Sequence, residues 1–192
     1  VRGGRYLQVT VRRPVGGGGR ARIHRVGLRR AQVPVHPTAC FECPDPVFNW
    51  AWQAGIDTLQ ACIEDAYLDC PWRERGTYIG DGLVEMHVHR AVSADLSVAR
   101  RCIRVWAQAQ RPDGQFPACA PSWIQHPHED FSLIWALMLY DYWAMSGDAA
   151  LVEELWPCLE KLWASSRWQA APSGLWNADG LNVFIDWGAV PE

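Results

Sequence analysis

Apolar and polar residues alternate along the first part of the chain. In residues 5–12 one side of this alternation holds Leu7, Val9 and Val11, and the other holds Tyr6, Gln8 and Thr10. A period of two predicts a strand with one buried face. Residues 21–33 predict a second strand, and the prolines within 33–37 mark a linker. Because two strands alone are not a stable unit, residues 1–37 are interpreted as the end of a β domain.

After Asp45 the pattern becomes helical. Apolar residues recur at spacings of three and four and form one stripe, made of Phe48, Trp52, Ile56, Leu59, Ile63 and Tyr67. A second helix is predicted over about 81–92. A third is predicted over 98–109, with Asp95 as its N-cap.

Two more helices are predicted near the end of the chain. Residues 131–145 are apolar almost all round, so we expect this helix to be buried on most sides and to end at Gly147-Asp148. The next helix carries leucines at 151, 155, 159 and 162, and Pro157 is expected to kink or restart it. Successive antiparallel helices of this kind predict a mainly α array of helical hairpins or a barrel, of which these 192 residues are a fragment.

Composition narrows the class of protein. Hydrophobic residues make up 49% of the chain, and no apolar run is long enough to cross a membrane. The net charge of −3 argues against a general nucleic-acid binder, although the first thirty residues hold nine arginines and no acid. This arginine-rich part is either a polyanion-binding arm or a β-rich piece whose acidic neighbours lie elsewhere, and we prefer the second interpretation.

The cysteines indicate in which cellular compartment the protein is found. Their number, seven, is odd, and they are scattered through apolar segments, which favours free thiols in a reducing compartment such as the cytoplasm. The chain begins with Val, so secretion stays open as an alternative. The chain also holds twelve Trp, whose rings suit either sugar faces or helix-packing cores; we expect most of them in the core.

The segment from Asp69 to Asp81 concentrates charge and aromatic rings between two apolar stretches. It reads Asp-Cys-Pro-Trp-Arg-Glu-Arg-Gly-Thr-Tyr-Ile-Gly-Asp, and its Pro and Gly interrupt any helix. Cleaving a glycosidic bond requires one carboxylic acid to protonate the leaving oxygen and a second carboxylate to act as nucleophile or base. Asp69 and Asp81 could raise the pKa of Glu74 by repulsion, while Arg73 and Arg75 would oppose this. The alternative is that the arginines simply pair with the carboxylates.

Other chemistries have weaker support. Cys40 and Cys43 have the spacing of half a zinc site without a second pair, and His126, His128 and Asp130 form the least unlikely metal cluster. The sequence contains neither a phosphate-binding glycine motif in a strand-to-helix setting nor a Gly-x-Ser-x-Gly elbow. We therefore predict no metal and no cofactor.

Several segments together resemble one family. These segments are residues 41–52 and 64–81, Gln110-Arg-Pro-Asp-Gly, Asp130-Phe-Ser-Leu-Ile-Trp, residues 141–148 and Phe184-Ile-Asp-Trp. In this order they resemble bacterial α-L-rhamnosidases of glycoside hydrolase family 78. The resemblance covers most of residues 38–192. It implies a partial (α/α)6 barrel over 38–192, preceded at 1–37 by the last strands of a β-sandwich.

The resemblance also implies roles for particular residues. Glu74 would be the general acid of an inverting enzyme that removes terminal α-L-rhamnose from a glycoside. Its general base would be a Glu beyond residue 192, so the fragment alone would be inactive. The implied substrate-binding residues are Asp69, Arg73, Tyr78, Asp81, Trp123, Asp130, Trp135 and Trp187. Two alternatives stay open: a six-hairpin glycosidase for another sugar, and a carbohydrate-binding homologue without catalysis.

Overall fold

Five helices form the described part of the molecule. The computed structural model describes residues 6–12, 20, 22–29, 33–122, 127–168, 170–177 and 179–184. The helices are α1 (Pro46–Cys62), α2 (Ile79–Val92), α3 (Ser97–Gln108), α4 (Glu129–Ser146) and α5 (Ala149–Trp163). The helical part of the prediction is thus confirmed, with each helix within a few residues of its expected place.

Local signals explain where the helices begin and end. Asp45 caps α1, since its side chain accepts a hydrogen bond from Val47 N at 2.9 Å, and Pro46 follows at the first helical position. Asp95 accepts from Ser97 N at 2.9 Å just before α3, although the cap residue itself is Leu96. Gly147 ends α4 in the left-handed conformation, with φ of 73°.

The helices pack against one another around a shared core. α2 lies against α4, and α3 lies against both α4 and α5, while α1 contacts α2. One hydrophobic core runs through all five helices, and its largest fully buried side chains include Trp106, Trp135, Tyr67, Phe116 and Met86. Contacts between alternate helices, α2 with α4 and α3 with α5, are those of stacked helical hairpins. The closed barrel stays a prediction.

The two predicted strands are not formed in the residues that the structure describes. Residues 6–12 and 22–29 contain no strand, and their side chains are exposed, Tyr6 to 93% and Leu28 to 85%. An alternating pattern builds a strand only when a neighbouring strand supplies hydrogen bonds, and none lies beside them among the described residues. The β-sandwich assignment of residues 1–37 is therefore not confirmed.

Of three further expectations, one was confirmed, one was met in part and one was wrong. α4 is buried or partly buried on most sides, and Leu137, Tyr140 and Trp143 are exposed on its remaining face. α5 continues as a single helix through Pro157 without a restart, and the kink at this residue stays a prediction. Most Trp in the described ranges are not in the core: Trp106 and Trp135 are fully buried, Trp52 and Trp168 pack partly buried against the core, and the other six are exposed.

Every cysteine is free. This agrees with the expectation of free thiols, and the cytoplasmic location stays a prediction. Within the described ranges no helix is long and apolar enough to cross a membrane.

Two glycines give a matched stability prediction. Gly147→Ala should lower the free energy of unfolding by about 1 kcal/mol, because a Cβ is unfavourable at φ of 73°. Gly55 lies inside α1 with no atom near an added Cβ, so Gly55→Ala should raise it by about 0.5–1 kcal/mol. Urea denaturation of both variants measures these changes. A shift of the same sign in both would contradict the left-handed cap.

Candidate active site

The loop between α1 and α2 is fixed by its own backbone. Asp69 N donates to Gly76 O at 3.0 Å, and Gly76 N donates to Asp69 Oδ1 at 2.7 Å. Ile79 N then donates to Ala118 O at 3.1 Å, which ties the end of this loop to the segment before α4. The Asp69 carboxylate is therefore held in one orientation rather than left free in solvent.

Glu74 projects from this loop with both carboxylate oxygens engaged. Arg73 Nη2 donates to Oε1 at 2.5 Å, and Tyr78 Oη donates to Oε2 at 2.9 Å. Burial, together with the hydrogen bond to Glu74, raises the pKa of Tyr78 to about 12, so the hydroxyl remains a donor at neutral pH. Of the two alternatives for the arginines, pairing with carboxylates is the one found, since Arg75 also pairs with Glu64.

The residue after Glu74 has an unusual backbone. Arg75 adopts a φ of 52°, in the left-handed region that residues with a Cβ seldom occupy. The ion pair from its side chain to Glu64, which lies just beyond α1, helps to hold this conformation. Residues kept in such conformations cost of order 1–3 kcal/mol and are concentrated at functional sites.

A cleft of about 450 Å³ opens beside Glu74. Its lining combines carboxylates, a cation and aromatic rings: Asp69, Arg73, Glu74, Tyr78, Asp81, His128, Phe131 and Phe184. Five of these residues were predicted from the sequence as site residues, and the structure brings all five together. Asp81 lies in the first turn of α2, where the helix dipole stabilises a carboxylate.

Two of the predicted substrate ligands lie elsewhere. Trp135 is fully buried in the core, where its ring packs on Phe116 and its Nε1 donates to Ile103 O at 3.1 Å. It therefore packs the helices and does not reach the cleft. Asp130 accepts a hydrogen bond from Phe184 N at 3.2 Å, so it positions the segment that carries Phe184. Trp123 and Trp187 lie outside the described residues.

Sequence reasoning missed the aromatic side of the cleft. His128, Phe131 and Phe184 line it, and two of them lie inside motifs that were already noted for their resemblance to a family. Their joint location depends on packing between segments more than fifty residues apart, which no local pattern records.

Glu85 was missed as well. It lies one helical turn after Asp81, and neither of its buried carboxylate oxygens has a hydrogen-bond partner within the described ranges. Burial, with the negative charge of Asp81 adding to it, raises the pKa of Glu85 to about 9, so this group is neutral at pH 7. Glu85 lines a second cavity, of about 510 Å³, which shares Asp69 and Asp81 with the cleft beside Glu74. Glu85 is not among the residues that line the cleft beside Glu74.

The described part of the chain holds no cluster of three His, Cys, Asp or Glu side chains that could bind a metal. Of the metal cluster considered from the sequence, His126 lies outside the described residues, while His128 packs against aromatic rings and Asp130 accepts from a backbone amide.

The fold and the cleft together define a class of protein. The helical hairpins stack, and several carboxylates and aromatic rings near their ends line one cleft. This arrangement is suited to binding and cleaving sugars. The family model of the bacterial alpha-L-rhamnosidase 6 hairpin glycosidase domain matches residues 36–192, and the chain belongs to this family.

Two solved structures are similar to the chain. A GH78 family rhamnosidase of Bacillus sp. GL1 is 24% identical with a TM-score of 0.65, and the match covers 68% of this chain and 14% of that one. A rhamnosidase from Klebsiella oxytoca with rhamnose bound is 28% identical with a TM-score of 0.64, and the match covers 82% of this chain and 31% of that one. The chain thus spans less than a third of either protein. A comparison with curated proteins finds no match.

Proposed function

We propose that the protein hydrolyses terminal α-L-rhamnosides with inversion, and that Glu74 is the general acid. The observation that carries this proposal is the position of Glu74 in an open cleft, with Asp69, Asp81 and the Tyr78 ring around it. Membership of the rhamnosidase family supports the type of reaction. The proposal requires the full-length protein to release L-rhamnose from an aryl α-L-rhamnoside and Glu74→Gln to remove this activity.

Glu74 has the access that a proton donor to the glycosidic oxygen needs. Its side chain is 38% exposed, whereas the neutral Glu85 has both oxygens buried. In the present arrangement each Glu74 oxygen accepts one hydrogen bond, Oε1 from Arg73 and Oε2 from Tyr78. Arg73, which is 76% exposed, can leave Glu74 at small cost when a substrate enters, because exposed ion pairs are weak.

Asp69 and Asp81 are proposed to orient the sugar. Ionised carboxylates accept hydrogen bonds from sugar hydroxyls, and both groups line the cleft. The hydrogen bond from Gly76 N fixes Asp69 before a substrate arrives, so less ordering is required on binding. Asp81 is fixed by its place in the first turn of α2.

Inversion requires a second carboxylate that activates a water molecule on the opposite face of the sugar. In inverting enzymes the two carboxyl groups are about 6.5–9.5 Å apart, which leaves room for this water. We propose that the general base is a Glu outside residues 1–192. Glu74 then supplies only the half of the mechanism that protonates the leaving group.

Tyr78 is proposed to pack against the sugar as well as to bind Glu74. Tyr78→Ala in the full-length protein should weaken the binding of L-rhamnose about tenfold, since an aromatic contact of roughly 0.5–1.5 kcal/mol is lost with its buried area. Tyr78→Phe keeps the ring, so it should bind within about threefold of the wild type. Isothermal titration calorimetry measures both affinities. Equal affinity of Tyr78→Ala and the wild type would exclude the packing role.

A further inference from the structure

Three aromatic rings form one wall of the cleft, and we refer to His128, Phe131 and Phe184 as the aromatic wall. The His128 ring stacks on Phe184 with centroids 5.0 Å apart and planes 27° apart. Phe131 meets both rings edge-on, at 5.2 Å from His128 and 5.8 Å from Phe184. Each ring therefore contacts the other two, and all three line the cleft that contains Glu74.

The aromatic wall is held from behind by a buried carboxylate. Glu129 is 1% exposed; its Oε1 accepts from Arg167 Nη2 at 2.6 Å and its Oε2 accepts from Asn182 N at 2.7 Å. These bonds tie the segment before Phe184 to the start of α4, where His128 and Phe131 lie. These hydrogen bonds hold the three rings in place without a ligand, and binding sites are usually largely pre-formed in this way.

The other side of the aromatic wall packs on α2. A Cβ at Gly80 would lie 2.7 Å from Phe131 Cζ, so only glycine lets the Phe131 ring come this close to the first turn of α2. Asp81 follows directly in the same turn. The carboxylates and the aromatic wall are thus fixed relative to each other by one helix packing contact.

The two ring nitrogens of His128 have different surroundings. Nδ1 is buried, with no hydrogen-bond partner in the part of the chain that the structure describes, while the ring as a whole lines the cleft. A neutral imidazole carries one N–H and one acceptor nitrogen. Burying an N–H without an acceptor is unfavourable, so we assign the hydrogen to Nε2, which leaves Nε2–H as the donor that a ligand can reach.

We propose that His128 binds the sugar directly: its Nε2–H donates to a hydroxyl oxygen of the bound sugar, whose C–H face and methyl group pack on Phe131 and Phe184. This inference rests on the proposed function, because it assumes that the cleft holds a 6-deoxy sugar. Asp69 and Asp81 only accept hydrogen bonds when ionised, whereas a sugar hydroxyl both donates and accepts. A hydrogen-bond donor in an apolar wall complements them, while the two Phe rings give the methyl group an apolar surface.

The test is the affinity of the full-length protein for free L-rhamnose, measured by titration calorimetry, which requires no turnover. His128→Phe keeps a ring in the wall but removes the donor, so the affinity should fall about tenfold. His128→Gln places an amide N–H near the former Nε2, and its affinity should stay within about threefold of the wild type. His36→Phe, at an exposed histidine outside the cleft, is the matched control and should bind as the wild type does.

The outcomes separate the two proposals. Unchanged affinity in His128→Phe would overturn the role of His128 and leave the rhamnosidase proposal standing. A wild-type protein that does not bind L-rhamnose at all would overturn both. If thermal melting shows that His128→Phe does not fold, the comparison moves to His128→Asn, whose amide lies nearer the former Nδ1. Weaker binding in His128→Asn than in His128→Gln supports the proposal, and equal binding overturns it.

Discussion

Glu74→Gln in the full-length protein should lower the rate of L-rhamnose release from phenyl α-L-rhamnoside by about 10²–10⁴-fold, because this leaving group needs a proton. Gln keeps the shape, and its one amide oxygen can still accept from Tyr78 or from Arg73, whose hydrogen bonds define the Glu74 environment. It has no acidic proton to give to the leaving oxygen. Fold and sugar binding should therefore change little while turnover is lost, and initial-rate kinetics with calorimetric binding separate the two.

Glu153→Gln is the matched control for this substitution. Glu153 is exposed on α5 and does not line the cleft, so the activity of this variant should equal that of the wild type. A loss of only a few-fold in Glu74→Gln on phenyl α-L-rhamnoside would remove Glu74 from the role of general acid. Full activity of the wild type on a different glycoside, with none on rhamnosides, would favour the alternative of a six-hairpin glycosidase for another sugar.

The second large effect concerns the core beneath the site. Trp106→Ala should lower the free energy of unfolding by about 3–5 kcal/mol, because a fully buried indole is replaced by a cavity. The same change removes the hydrogen bond of 2.9 Å from Trp106 Nε1 to Thr77 O, which anchors the loop next to Tyr78. Activity should therefore fall even at temperatures where the variant remains folded. Urea denaturation and rates at low temperature measure the two effects.

Trp50→Ala is the corresponding control. Trp50 is 71% exposed on α1, and exposed substitutions usually change stability by about 0.5 kcal/mol or less. Equal losses of stability in the two variants would show that Trp106 has no special role in the core. A folded Trp106→Ala variant with normal activity would show that the hydrogen bond to Thr77 is not needed to place the loop.

The helices could be predicted because their signals are local. The cap at Asp45 and the left-handed Gly147 are encoded by the residues themselves, and the spacing of apolar residues predicts which faces are buried. Ile56 and Leu59 on the predicted stripe are buried, whereas Phe48 at its start is exposed. The difference arises because burial depends on what covers a helix end, which the periodic pattern does not contain.

Of the candidate site, only the residues that lie together in one segment of the sequence could be predicted. Asp69, Arg73, Glu74, Tyr78 and Asp81 lie within thirteen residues of each other, and the structure gathers them in one cleft. Trp135 shows the limit of assigning a role from a resemblance, because an indole on an apolar helix is more often core than ligand. The pairing of His128 with Phe184 depends on the ion pair between Glu129 and Arg167, and the raised pKa of Glu85 depends on burial. Neither can be derived from sequence spacing.

The central claim is that Glu74 donates the proton to the leaving group, and the dependence of Glu74→Gln on leaving-group acidity tests it most directly. Rates are measured for a series of aryl α-L-rhamnosides that extends from a dinitrophenyl to an unsubstituted phenyl leaving group. We expect the variant to approach the wild-type rate on the most acidic leaving group and to lose about 10²–10⁴-fold on the least acidic, because a good leaving group needs no proton. A uniform loss across the series would contradict the claim, since it would show that Glu74 acts in some other step.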